Sequence, residues 1–209
     1  GVFKEEDILI EDGIVVQLAR NINARVEKNG LIDAEGSIVS PSFIDHHCHI
    51  FPQGSMFGAC ADTIGYPMGC TVLVDAGSSG AGTFQAFSQC VQRLAQPQIF
   101  AYLNLGSQGQ ISEKTTESLT PDSIDTDAID RILSKEKSVK GLKLRFDAKL
   151  FDRSNAQAIW SCCTEIAHSR RVPLVVHITN HPLPLDEMLS DLSEGDIVCH
   201  CFQDQSENI

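Results

Sequence analysis

The chain lacks any run of about 18 apolar residues, so nothing in it reads as a membrane-spanning helix. No basic stretch followed by an apolar one opens it, and no secretion signal can be read. Basic residues are scarce: 16 Lys and Arg stand against 28 Asp and Glu, a net charge of −12. Grip on phosphate backbones or anionic membrane surfaces needs clustered Lys and Arg, so neither nucleic acid nor membrane is an expected partner. The eight Cys, at 48, 60, 70, 90, 162, 163, 199 and 201, include no C-x-x-C pair. A zinc ribbon and a thioredoxin-type motif are thereby excluded. Their spacing is not that of a disulfide framework. Several lie in apolar runs, where a thiol behaves as a small hydrophobe. Reduced thiols in a cytoplasmic protein are the expectation.

What is present is organised. The 209 residues suit one domain with an appendage. Apolar runs recur at 38–47, 71–77, 99–106, 139–146, 172–178 and 196–202. Near-continuous Val, Ile and Leu mark strands buried on both faces, as in parallel sheets. Between them lie helical stripes. Phe84, Phe87, Val91 and Leu94 form one, and Ile124, Ala128, Ile129, Ile132 and Leu133 a second. Ile159, Cys163, Ile166 and Arg170 form a third, stopped by Pro173, and Leu185, Met188, Leu189 and Leu192 a short fourth. Strand–helix–strand repetition of this kind predicts parallel βαβ units. Residues 1–37 differ, with two short strands around Asp12-Gly13, a dipeptide that favours a tight hairpin. On pattern alone, an open six-strand doubly wound sheet and three-quarters of an eight-strand barrel fit equally well.

Four of the seven His stand at the carboxyl ends of predicted strands: His47, His49, His177 and His200. Barrels and open α/β sheets both build their sites there. Strand alternation puts His47 and His49 on one face, with Asp45, while His46 and Cys48 face away. A lone His in an apolar strand is most often a satisfied core residue. Four at three strand ends, with an i, i+2 pair among them, point instead to metal binding. Lys143 sits in VKGLKLRF, a run too apolar for an incidental charge. A buried ammonium is costly, so such a Lys pairs, shifts its pKa or reacts. The plain expectation is an ion pair with a carboxylate such as Asp75. The sharper one is addition of carbon dioxide to the neutral amine, giving a carbamate between two metals.

PSFIDHHCH resembles the P-G-F-I-D-x-H-x-H signature that opens the barrel of the amidohydrolase superfamily, with Ser42 in place of the usual Gly. A Lys at strand four (GLKLR), a His at strand five (PLVVHI) and a His at strand six (DIVCHCF) follow in the superfamily's order. GCTVLVDAGSSGA, VKGLKLR, VPLVVHI and GDIVCHCF further resemble the dihydroorotase-like amidohydrolase/deacetylase group. The resemblance implies an α/β fold: a (β/α)8 TIM-type metallo-dependent hydrolase barrel with about six of its eight strands present. Residues 1–37 would be part of a small β-sandwich, and 38–209 the partial barrel that carries the metals.

The resemblance also implies two divalent ions. His47 and His49 would hold the more buried one, His177 and His200 the other, and carboxylated Lys143 would bridge them. Zn²⁺ suits imidazole and carbamate oxygen, and Mn²⁺, Fe²⁺ and Co²⁺ fit the same donors. The implied reaction is hydrolysis of an amide, cyclic amide or acyl ester in a small molecule by a metal-bridging hydroxide. The superfamily's proton-shuttling Asp belongs to strand eight, so the catalytic acid–base is not read in this chain, which is expected to be a fragment of a larger enzyme. Arg145 shares a face with Lys143 and could hold a substrate carboxylate by a bidentate fork, or pair with a nearby Asp. Asn104 and Thr179 also stand at strand ends, and His181 reads as loop surface.

Two alternatives remain. A nucleobase deaminase usually carries a Glu just after the strand-five His and lacks the strand-four Lys. Here Ile178, Thr179 and Asn180 follow His177, and Lys143 is present. An inactive barrel used as a scaffold would be expected to lose ligands, and all five stand. Self-association is left open by the sequence.

Overall fold

A computed structural model describes residues 4–27, 30–112, 117, 119–150 and 153–202. The chain divides into two compact units, Gly1–Pro41 and Ser42–Ile209. The first contains a hairpin of β1 (Asp7–Glu11) and β2 (Ile14–Ala19). Its turn residues, Asp12 and Gly13, both have positive φ, at 49° and 78°. Only turns of that hand match the right-handed twist of the flanking strands, which is why Asp-Gly stands there.

The second unit alternates strands and helices. In chain order it holds β3 (Phe43–Cys48), α1 (Ala61–Ile64), β4 (Cys70–Gly80), α2 (Phe84–Phe87), β5 (Gln98–Asn104) and α3 (Thr126–Lys135). There follow β6 (Val139–Arg145), α4 (Arg153–Ser169), β7 (Leu174–His177), α5 (Leu185–Asp191) and β8 (Ile197–Cys199). All six strands are parallel, in the order β3-β4-β5-β6-β7-β8. A doubly wound sheet reverses direction partway, and this one does not.

The sheet is also curled. Neighbouring strands lie about 4.8 Å apart, so β3 and β8 would be some 24 Å apart in a flat sheet. Yet the ring of His47, on β3, is centred 5.0 Å from that of His200, just past β8. The strands therefore form a partial TIM-type barrel. Its two sides have different cores. Leu73, Leu103, Leu142, Leu144, Leu174 and Val176 face the helices, where they meet Phe87, Ile129, Ile159, Trp160 and Met188. Val74, Tyr102, Val175 and Cys199 form a separate cluster on the concave side. Alternation along each strand divides the two sets.

Three expectations need correction. The first strand begins at Phe43 and not at residue 38, since Pro41 has no N–H to give a ladder. The last ends at Cys199 and not at residue 202, because His200 turns into the left-handed region at φ 60°. The stripe through Phe84, Phe87, Val91 and Leu94 is not one regular helix: after α2 the chain continues as a π-helical turn, Ser88–Gln92. That wider turn shifts the register, and Leu94 is left 72% exposed while the other three are buried. The remaining helices carry most of their stripes, with Ile124 just before α3 and Leu192 just after α5. Asp125 caps α3 by accepting from the Ala128 N–H at 2.8 Å. Arg170 lies just past α4 and pairs with Asp130.

Replacing Leu144→Ala, at a fully buried core position, should cost about 2–5 kcal/mol of unfolding free energy. Leu94→Ala should stay within about 0.5 kcal/mol of the parent. Urea denaturation of both variants checks the pair, and a large loss from Leu94→Ala would restore the uninterrupted helix.

Candidate metal centre

Each of the four histidines is placed by its strand end. In β3, Cys48 turns inward and its thiol donates to the Val74 carbonyl at 3.5 Å, so His47 and His49 point the other way. Asp45 fixes the bend by accepting from the His47 N–H at 3.0 Å. His46 is exposed, on the side away from His47. His177 closes β7, in register with Arg145 of β6 and Cys199 of β8. His200 owes its direction to its left-handed backbone, a conformation that His adopts more readily than most residues.

The rings converge. Centroids of His47 and His49 lie 6.0 Å apart, those of His47 and His200 5.0 Å, and those of His177 and His200 4.8 Å. Burial lowers the basicity of all four, and the Lys143 charge adds to it. His47 and His177 fall to about 3 and His49 to about 4. At neutral pH the cluster consists of uncharged imidazoles with lone pairs to give, the form that metals bind.

Lys143 faces the same cluster and is 3% exposed. Its amine pKa is lowered by burial, against smaller opposing effects from Cys199 and Glu117. The pairing with Asp75 is not found. The Lys143 amine instead lies 3.5 Å from the Cys199 sulfur, and among the described residues no carboxylate forms an ion pair with it. Asp75 accepts from the backbone N–H groups of Ile50, Gly77 and Ser78 at 2.9, 3.1 and 2.7 Å. The other members of the site are linked in one chain. Gly77 packs on the Lys143 stem, and Asn104 donates to the Gly77 carbonyl at 3.0 Å and to Glu117 at 3.3 Å. Arg145 meets the same Glu117 at 3.4 Å. The carboxylate beside Arg145 is thus a Glu and not an Asp. His181 is half-buried in its loop, with Nδ1 beside the Leu183 carbonyl oxygen.

Glu117 and Ser78 escaped sequence reasoning. Glu117 lies in a segment without periodicity, and nothing in its neighbours distinguishes it from a solvated acid. Ser78 belongs to a Gly-Ser-Ser-Gly run that reads as a turn, and its contact with the His49 ring at 2.8 Å has no local signature.

The donor set fits divalent metal in kind. The His177 Nε2 atom is buried with no hydrogen-bond partner among the described residues, which is costly unless something accepts its lone pair or its hydrogen. Among the described residues, no three His, Cys, Asp or Glu are close enough to hold one ion by themselves. An open depression of about 590 Å³ lies at the opposite strand ends, bordered by Thr71, Gln98 and Ser138, and includes none of the histidines.

No family model matches the chain. It is 32% identical over 205 residues to a deacetylase of Brucella anthropi, and 33% identical over 205 residues to a deacetylase of Agrobacterium fabrum. In both cases 96% of this chain aligns, with 50% and 49% of the relative. The chain thus spans about half the length of these curated relatives. Among solved structures, a dihydroorotase superposes with a TM-score of 0.85 at 30% identity, over 99% of this chain and 55% of the other. An adenine deaminase superposes with a TM-score of 0.74 over 98% and 55%, and at 22% identity it shows the fold alone.

Gly77 has φ 91°, and a Cβ there would stand 2.6 Å from the Lys143 Cγ. Gly77→Ala should therefore destabilise the full-length protein by at least about 1–2 kcal/mol and displace the lysine stem. Urea unfolding together with metal content checks this. A variant with unchanged stability and metal content would show that the contact is slack.

Proposed function

Since the chain belongs to the amidohydrolase superfamily, in its dihydroorotase-like group, we propose that the complete protein is a binuclear metal-dependent hydrolase. Its substrate is a small molecule, and the bond broken is an amide, a cyclic amide or an acyl ester. The observation that carries this reading is the convergence of four uncharged imidazoles with the Lys143 amine at the carboxyl end of a curled parallel sheet.

His47, His49, His177 and His200 would hold two divalent ions, zinc by the nature of the donors. Ions so bound lower the pKa of water and polarise a carbonyl group. The imidazoles bring no negative charge, and Lys143 supplies it. Its neutral nitrogen adds carbon dioxide, an N–C bond forms, one amine proton leaves to solvent, and the anionic carbamate offers two oxygens. Arg145 retains donors beyond its bond to Glu117 and shares a strand with Lys143, so a carboxylate on the substrate is its proposed partner. The group that moves a proton to the leaving atom is assigned to no residue of this chain. The eight free thiols suit a cytoplasmic setting.

Purified full-length protein should retain two equivalents of divalent metal and hydrolyse N-acyl amino acids, cyclic ureides or acylated hydroxy acids. Lys143→Ala should lose binuclear binding, keep at most one weakly held ion, and recover in part when acetate or propionate fills the bridge. Two equivalents retained by that variant without added acid would reduce Lys143 to a structural residue. Ammonia release from nucleobases alone would favour a deaminase, and an inactive, metal-free protein would favour a scaffold.

A further inference from the structure

His49 is held at Nδ1, and the residues that hold it continue into the core. Its Nδ1 lies 2.8 Å from the Ser78 hydroxyl oxygen. The Ser78 side chain also hydrogen-bonds to the Asp75 carboxylate, and both residues have no solvent exposure. Asp75 in turn accepts from the N–H of Ile50, the residue directly after His49, at 2.9 Å. One carboxylate thus secures the ring through Ser78 and the backbone through Ile50. Among the described residues, no Lys, Arg or His forms an ion pair with Asp75.

We propose that Asp75, Ser78 and His49 form a carboxylate–hydroxyl–imidazole relay that keeps the His49 hydrogen on Nδ1 and leaves its Nε2 lone pair for a divalent metal ion. The proposal rests on the reading of the histidine cluster as a metal centre. Ser78 and Asp75 are positioning residues, since both act through His49.

The hydrogen count sets the direction. A serine hydroxyl has one hydrogen to give. The groups around Asp75, three backbone N–H groups and the Ser78 hydroxyl, are donors, so the carboxylate acts as their acceptor. With its hydrogen committed to Asp75, the Ser78 oxygen can only accept from His49, and the hydrogen between them belongs to Nδ1. Nε2 then carries the lone pair. The reverse order needs a proton on Asp75, passes a hydrogen from Ser78 to Nδ1, and leaves Nε2–H, which cannot bind metal. The forward order does more than orient the ring. Burial disfavours charge on Asp75, the three N–H groups and the Ser78 hydroxyl favour it, and metal at His49 would lie on the far side of two hydrogen bonds. Carboxylate partners of metal-bound histidines raise ligand basicity in this way, and their loss costs roughly 10–100-fold in metal affinity.

Two measurements on full-length protein test the relay. Long-range ¹H–¹⁵N NMR of the chelated, metal-free protein should show His49 as the Nδ1–H tautomer, and an Nε2–H tautomer would overturn the proposal. Zinc affinity, measured by competition with a chromophoric chelator, should fall roughly 10–100-fold in Ser78→Ala. Thermal unfolding of the same metal-free variant verifies that it is folded. Ser79→Ala is the control: its hydroxyl is buried with no hydrogen-bond partner among the described residues, so its affinity should match the parent. Parental affinity in folded Ser78→Ala would sink the relay and spare the metal centre. A parent protein that takes up no zinc would sink the metal centre itself.

Discussion

A lysine amine buried among four imidazoles is the constraint around which the second unit is arranged. Protonated, Lys143 would stand in an apolar strand with a thiol 3.5 Å away and, among the described residues, no carboxylate in an ion pair with it. That ammonium disfavours charge on His47, His49, His177 and His200, and its own burial disfavours the ammonium in turn. Burial thus lowers the basicity of all five groups, and the Lys143 charge lowers that of the four imidazoles further. The result is four imidazoles and one amine, drawn from four strands, all of lowered basicity. Such a group is poor material for a core and good material for binding cations.

Bringing those donors together is the work of the curled sheet. The strand order is sequential, so β3 and β8 are as far apart along the sheet as two of its strands can be. Only curvature sets the His47 ring beside that of His200. Small backbone devices complete the aim: the left-handed turn at His200, the Asp45 hydrogen bond at His47, and the Gly77 gap that admits the Lys143 stem. Behind them, the helix-facing Leu and Val side chains hold the strands in register and rigid.

Much of this was legible in the sequence, for identifiable reasons. Parallel strands bury both faces, so their apolar runs are conspicuous, and VPLVVHI and DIVCHCF end where β7 and β8 end to within a few residues. A His pair at i, i+2 reveals the shared face of His47 and His49 because side-chain alternation in a strand is strict. Curvature was not legible from periodicity, since flat and curled sheets have the same strand–helix alternation. It came from the resemblance carried by PSFIDHHCH and the Lys and His residues after it. The Glu117–Arg145 contact and the Ser78–His49 contact were illegible for another reason. Both join residues 28 or 29 positions apart through polar side chains with no periodic signature.

The central claim is that the histidine cluster and Lys143 form one centre for two metal ions. Anomalous diffraction from crystals of the zinc-loaded full-length protein tests it most directly. The account predicts two anomalous peaks about 3.5–4 Å apart among His47, His49, His177 and His200, with density for a carbamate continuous from the Lys143 amine. A single peak beside an unmodified Lys143, or zinc bound away from these residues, would contradict it.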